Sequence, residues 1–129
     1  ERGHAIIDEL RPLPSELVID KPGKGAFYQT DLEAVLRNLG MTHLLFTGVT
    51  TDVCVHTTLR NANDMGFRCL LIEDGCGAFD EANHRAAVNM VKMQGGIFGW
   101  VSQSAHIVAA LRGLRGPSLA AAGRQGATA

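Results

Sequence analysis

The stretch HLLFTGVTTDVCVHTTLRNANDMGFRCLLIED, residues 43–74, decides the fold. Leu44–Thr47 is a short apolar run closed by Gly48, the pattern of a buried strand. Asp52 then stands where a side chain can cap a helix. Val55, Leu59 and Ala62 recur at helical spacing as far as Met65, and Gly66 follows as a stop. Arg68–Asp74 begins a second apolar run. Two apolar strands separated by a full amphipathic helix imply a parallel pair joined by a crossover, because a hairpin needs only a tight turn.

The alternation extends in both directions. Upstream, Thr30 with Glu33 three residues later reads as a capping box, and Leu32, Val35, Leu36 and Leu39 mark one helix face before Gly40. Glu16–Asp20 reads as a short strand leading into the loop Lys21-Pro22-Gly23-Lys24-Gly25, while Glu1–Pro14 has no clean period. Downstream, Asp80 opens a helix whose apolar side is read as Ala82, Ala86, Met90 and Val91. Ile97–Val101 reads as a last strand, and Ser104 as the cap of a helix carrying Ile107, Val108 and Leu111. The predicted class is α/β, a three-layer α/β/α arrangement with a mostly parallel sheet covered on both faces.

The 129 residues, 46% of them hydrophobic, suit one globular domain. A net charge of −1 with scattered basic residues gives no electrostatic footprint for nucleic acid or an anionic membrane. No apolar run reaches the roughly 20 residues that span a bilayer, and a cytoplasmic location is the expectation. Cys54, Cys69 and Cys76 are odd in number and lack C-x-x-C spacing, which points to neither a disulfide framework nor a zinc site. There is no G-x-G-x-x-G, and the Lys21 loop lacks phosphate-loop spacing. From Gly113 onward the chain turns to Gly, Ala, Arg and Ser, so residues 115–129 are expected to form a disordered tail.

Ligands of open parallel sheets bind at the carboxyl ends of the strands, where both the Lys21 loop and the Cys54 turn fall. A cysteine in the first turn of a helix feels the positive end of the macrodipole, and a nearby ammonium further favours its thiolate. Lys21 is the candidate cation, and the turn at Thr50, Thr51 and Asp52 offers backbone N–H groups for an oxyanion. Equally, a lone cysteine beside a strand is commonly core, and a lysine in a Gly-rich loop is commonly solvated. Spacing alone leaves both readings open.

GVTTDVCV (48–55), with VIDKPGKGAF (18–27) upstream and LIEDGCGAFDEANHRAAV (71–88) downstream, resembles the isochorismatase-like cysteine hydrolases. That group contains nicotinamidase, N-carbamoylsarcosine amidase and ureidoacrylate amidohydrolase. The likeness runs from Ile6 to Leu111, and within the group TTDVCVHTTLRNANDMGF and VKMQGGIFGWV look most like the biuret-hydrolysing branch. The resemblance implies Cys54 as nucleophile and Lys21 as catalytic lysine, a cis peptide at Val49-Thr50, and an oxyanion hole from the backbone N–H groups of Thr50 and Cys54. It also implies that Gln94 contacts a substrate carbonyl, against the alternative of an exposed helix-end amide. Phe27 either walls the pocket or anchors its loop in the core.

The implied activity is cleavage of a linear C–N bond in biuret or a similar small ureide, with release of ammonia through an acyl-enzyme and without a cofactor or metal. The implied assembly is a homo-oligomer, such as a tetramer. The family's third catalytic residue is an aspartate at the end of the first strand. Neither Asp8 nor Asp20 sits in that setting, so residues 1–114 read as the C-terminal portion of such a domain, with its N-terminal strands absent. The alternatives are a noncatalytic fragment or paralogue, and an amidohydrolase of the carbamoyl-amino-acid or ureidoacrylate type. His56, two residues from Cys54 and about 200° around a helix from it, is not placed to act as its base. His4, His43, His84 and His106 show no ligand spacing, and Asp74, Cys69 and Cys76 read as structural.

Overall fold

The computed structural model describes residues 5–114, so the proposed tail at 115–129 lies outside the described residues. Three parallel strands form one sheet in the order β1 (His43–Val49), β2 (Arg68–Gly77), β3 (Trp100–Ser102). Between and around them run α1 (Leu32–Asn38), α2 (His56–Asp64), α3 (Glu81–Gly96) and α4 (Ser104–Leu114). A single turn of 3-10 helix, Asp8–Leu10, precedes α1.

Register explains where the core lies. Leu44 faces Cys69 and Phe46 faces Leu71 across the β1–β2 ladder, so these four project from the same side of the sheet. Val55, Leu59 and Ala62 from the start and face of α2, and Val88 and Val91 from α3, close over that side together with Phe67. The opposite side is covered less. Leu45 is 52% exposed and Trp100 58% exposed there, and of the helices only α4 makes substantial contact with β2 beyond α2 and α3. The expected α/β class with a parallel sheet is present, with its second face more thinly covered among the described residues.

Several local expectations change for physical reasons. Glu16–Asp20 forms no strand and pairs with none among the described residues, and Leu17 and Val18 stay exposed; β-propensity makes no ladder without a neighbour. The Thr30–Glu33 capping box does not form. Glu33 instead bonds Arg37 at 2.9 Å, one turn on, and the Thr30 hydroxyl donates to the Ala26 carbonyl. On α3 the buried face is Ala87, Val88 and Val91, whereas Ala82, Ala86 and Met90 are exposed. Alanines carry little apolar area, so an alanine-rich pattern fixes a helix's rotation poorly. The last strand starts at Trp100, because α3 kinks at Met93–Gly95 and its return turn consumes Ile97 and Phe98.

Caps fix the ends of α3 and α4. Asp80 accepts from the Ala82 and Asn83 amides at 2.6 and 3.3 Å, as its position predicted. Asp74, on β2, accepts from the amide and hydroxyl of Ser104 at 2.7 and 2.6 Å, which ties the start of α4 to the sheet. The Ser104 bonds hold the Asp74 carboxyl below its ordinary range.

Candidate active site

Gly48, the last residue but one of β1, has a φ of 117°, a conformation that side chains disfavour, and the Val49-Thr50 peptide at the strand's end is cis. The chain then opens a π turn, Thr51–Val55, rather than starting α2 directly. The Thr50 carbonyl accepts from both the Val53 and Val55 amides, at 3.2 and 3.1 Å. Asp52 does not cap this turn. Its Oδ1 is buried with no hydrogen-bond partner among the described residues, because the wider turn begins at Thr51 and carries the carboxylate off the axis.

Cys54 is half-buried on this turn. The Lys21 ammonium lies 3.7 Å from its sulfur and donates as well to the carbonyls of Gly23 and Lys24, at 2.9 and 3.2 Å. Three donors thus close the Gly-rich loop on itself and aim it at the thiol. Thr58, one helical turn beyond Cys54, anchors the loop from the other side: it accepts from the Ala26 amide at 3.0 Å and donates to the Cys54 carbonyl at 2.7 Å. A cavity of about 230 Å³ results, lined by Lys21, Ala26, Cys54, Val55, Thr58 and the β1 end Phe46–Val49. No carboxylate is among these residues.

A larger cavity of about 920 Å³ shares Lys21 and Val49 with the first and is lined by Asp20, Val18 and Ile19. Asp8 lies away from both, in the 3-10 turn, paired with Arg11. Phe27 turns into the core and stacks on Phe67 with ring centroids 6.2 Å apart, leaving its neighbour Ala26 to line the pocket. Gln94 is exposed in the α3 kink, at φ 51°, and does not line the Cys54 cavity.

The other thiols differ from Cys54 in setting. Cys69 is buried, and burial pushes its thiol up to about 11; burial raises Cys76 too. His56 is buried against α3 and the edge of Phe98, and burial with the nearby Arg60 charge holds its imidazole below the ordinary value. Among the described residues there is no cluster of three or more His, Cys, Asp or Glu side chains arranged to hold a metal. No helix among them is long and apolar enough to cross a membrane.

Spacing marked neither the Thr58 hydroxyl nor the Thr51 hydroxyl. The signal for Thr58 is its place four residues after Cys54, on the same helical face. Thr51 is fully buried, its hydroxyl 2.8 Å from Nδ1 of His84 on α3.

A family model described as the isochorismatase domain matches residues 1–106. Ureidoacrylate amidohydrolase RutB from Methylobacterium radiotolerans is 40% identical over 109 residues, 84% of this chain and 41% of that protein. Among solved structures, an isochorismatase-like hydrolase from Alkaliphilus metalliredigens superposes with a TM-score of 0.79 at 28% identity, over 84% of this chain and 59% of that one. N-carbamoylsarcosine amidase from Thermoplasma acidophilum does so with a TM-score of 0.70 at 28% identity, over 81% and 57%. The chain spans 40% to 41% of the length of the curated ureidoacrylate amidohydrolases it matches.

Proposed function

The chain belongs to the isochorismatase family, and on that premise we propose that it carries the nucleophile and lysine of a cysteine amidohydrolase acting on a terminal ureido group. The observation that carries the proposal is the Lys21 ammonium 3.7 Å from the Cys54 sulfur, at the carboxyl end of β1. An ammonium at this distance is placed to stabilise the negative charge that the nucleophilic reaction brings to the site.

The names of the relatives favour a ureidoacrylate or N-carbamoyl compound over biuret as the substrate class. Ureidoacrylate and N-carbamoylsarcosine share a carbamoyl group borne on nitrogen, and a cavity of about 230 Å³ admits a group of that size. In the proposed sequence, the Cys54 sulfur attacks the carbonyl carbon and the electron pair moves to oxygen, where the Thr50 and Cys54 amides receive it. Collapse breaks the C–N bond to the terminal nitrogen, which takes a proton and departs as ammonia, and the carbonyl, still bearing the substituted nitrogen, stays on sulfur as a thiocarbamate. Water then attacks the thiocarbamate carbonyl, the C–S bond breaks, the N-substituted carbamate leaves, and the thiol is restored. The group that takes the Cys54 proton lies outside this cavity's lining, which holds no carboxylate. Activity in the cytoplasm and a homo-oligomeric assembly belong to the same proposal.

Ammonia release from ureidoacrylate, N-carbamoylsarcosine and biuret, measured for the protein and for Cys54→Ala, tests this. Release that survives Cys54→Ala would sink the nucleophile. A second reading, a chain that keeps the fold without turnover, is favoured by the lack of a carboxylate in the Cys54 cavity. Cys54-dependent ammonia release by this chain alone would overturn it.

A further inference from the structure

We infer that His84 is a positioning residue for the Cys54 turn, acting through the buried hydroxyl of Thr51; the catalytic part of this inference rests on the function proposed above. Thr51 is 0% exposed, and its hydroxyl lies 2.8 Å from His84 Nδ1. It sits between Thr50 and Cys54, the two residues whose amides would hold an oxyanion. A hydroxyl buried without its partner loses more than a bond, since nothing replaces the water it gave up. The contact therefore fixes the turn from α3.

The anchor at the other end is rigid. Asp80 caps α3 through the Ala82 and Asn83 amides, and the Asp80 carbonyl accepts from the His84 amide at 3.0 Å. One helical turn further on, Ala87, Val88 and Val91 seat α3 in the core. A helical side chain leans over the turn preceding it, which brings the His84 imidazole back toward Thr51. The π turn that it meets is held by the Thr51 carbonyl, which accepts from the His56 amide, and by the Thr50 carbonyl, which accepts from the Val53 and Val55 amides. Shifting Thr51 would rotate the Thr50 carbonyl and move the Thr50 and Cys54 amides together. His84 thus links the β2–α3 junction to the nucleophile's turn without touching a substrate.

The test is a double-mutant cycle of His84→Ala and Thr51→Val, with His84→Asn as the conservative variant. Two readouts are taken: kcat and KM for ammonia release, and the rate of Cys54 alkylation by iodoacetamide, which needs no turnover. The expected result for either single variant is a fall of about tenfold in kcat and in alkylation rate, with KM changed less than about twofold. The double variant should be no worse than the singles, because one bond is lost in each case. His84→Asn, whose amide reaches the Nδ1 position, should recover at least half of the rate. Multiplying losses in the double variant, or single-variant rates within twofold of the parent, would overturn the inference. If His84→Ala does not fold, Thr51→Val and His84→Asn carry the same comparison. Should the parent release no ammonia, the function proposed above fails, and the alkylation cycle still decides whether His84 positions the turn.

Discussion

The ammonium of Lys21 is 3.7 Å from the sulfur of Cys54, a residue 33 positions away, and its remaining donors go to the carbonyls of Gly23 and Lys24. The lysine is held as a point charge by its own loop and presented to one thiol. Iodoacetamide should therefore label Cys54 first and Cys69 last, since Cys69 is buried and its thiol is pushed up to about 11. Lys21→Met should slow Cys54 labelling by about tenfold and leave Cys76 unchanged, as read by peptide mass spectrometry. Equal labelling of Cys54 and Cys69 in the folded protein would count against a special role for Cys54.

Thr58 ties that loop to the nucleophile's helix. Thr58→Val keeps the shape but strands the Ala26 amide, at a cost of about 1–3 kcal/mol in a urea titration. The same substitution should slow Cys54 labelling, because the Lys21 loop loses its anchor on α2. Thr58→Ser, which keeps the hydroxyl, should restore most of both properties.

His56 makes stability depend on pH. Burial and Arg60 hold its folded-state imidazole below the ordinary value near 6.5, so the unfolded chain binds its proton more readily. Its contribution is complete above that ordinary value and is lost progressively as pH falls from there toward the lower folded-state value. Urea midpoints should fall on acidification through that window, and His56→Gln should flatten this part of the curve. A midpoint that rises as pH drops through the window would contradict the assignment.

Gly99 sits where β3 approaches β2. A Cβ at this position would stand 2.2 Å from the Cys69 carbonyl oxygen, and the φ of 137° is itself unfavourable for a side chain. Gly99→Ala should cost about 3 kcal/mol or more, either unfolding the protein or displacing β3. Gly113→Ala, with nothing within 4 Å of the added carbon and an ordinary backbone, is the matched control and should change the midpoint little.

The alternation of strand and helix was legible because it depends on runs of bulky residues: Leu44 to Phe46, Leu70 to Ile72, and Leu59 within α2. The shared rim of the sheet made Lys21 a candidate partner for Cys54, and the resemblance favoured that pairing where spacing left both residues with ordinary alternatives. What escaped depends on partners distant in sequence. Asp52 looks like a cap, yet the π turn starts one residue earlier. Ala82 and Ala86 fit the helical period as well as Ala87 does, and only packing against β2 and the Thr51 turn selects among them. Ser104 reads as a cap for α4 by itself, whereas the carboxylate that engages it is 30 residues upstream on β2. Phe27 had two destinations, and the Phe67 ring decides for the core.

The β1–β2 register jumps from Phe46–Leu71 to Gly48–Cys76, so β2 leaves the ladder for several residues before returning. During that departure Ile72 pairs with Ser102 and Asp74 engages Ser104. Beyond it, Gly48 and Val49 have only Cys76 and Gly77 beside them, and among the described residues the sheet there is two strands wide. Mechanically, the nucleophile hangs from a narrow ribbon attached to a broader slab. A ribbon bends and twists where a slab resists, and an irregular register concentrates that compliance at one place. Among the described residues, the two pairs Gly48–Cys76 and Val49–Gly77 are all the sheet gives the nucleophile's turn, so the bond from the Thr51 hydroxyl to His84 is the brace that holds it against α3.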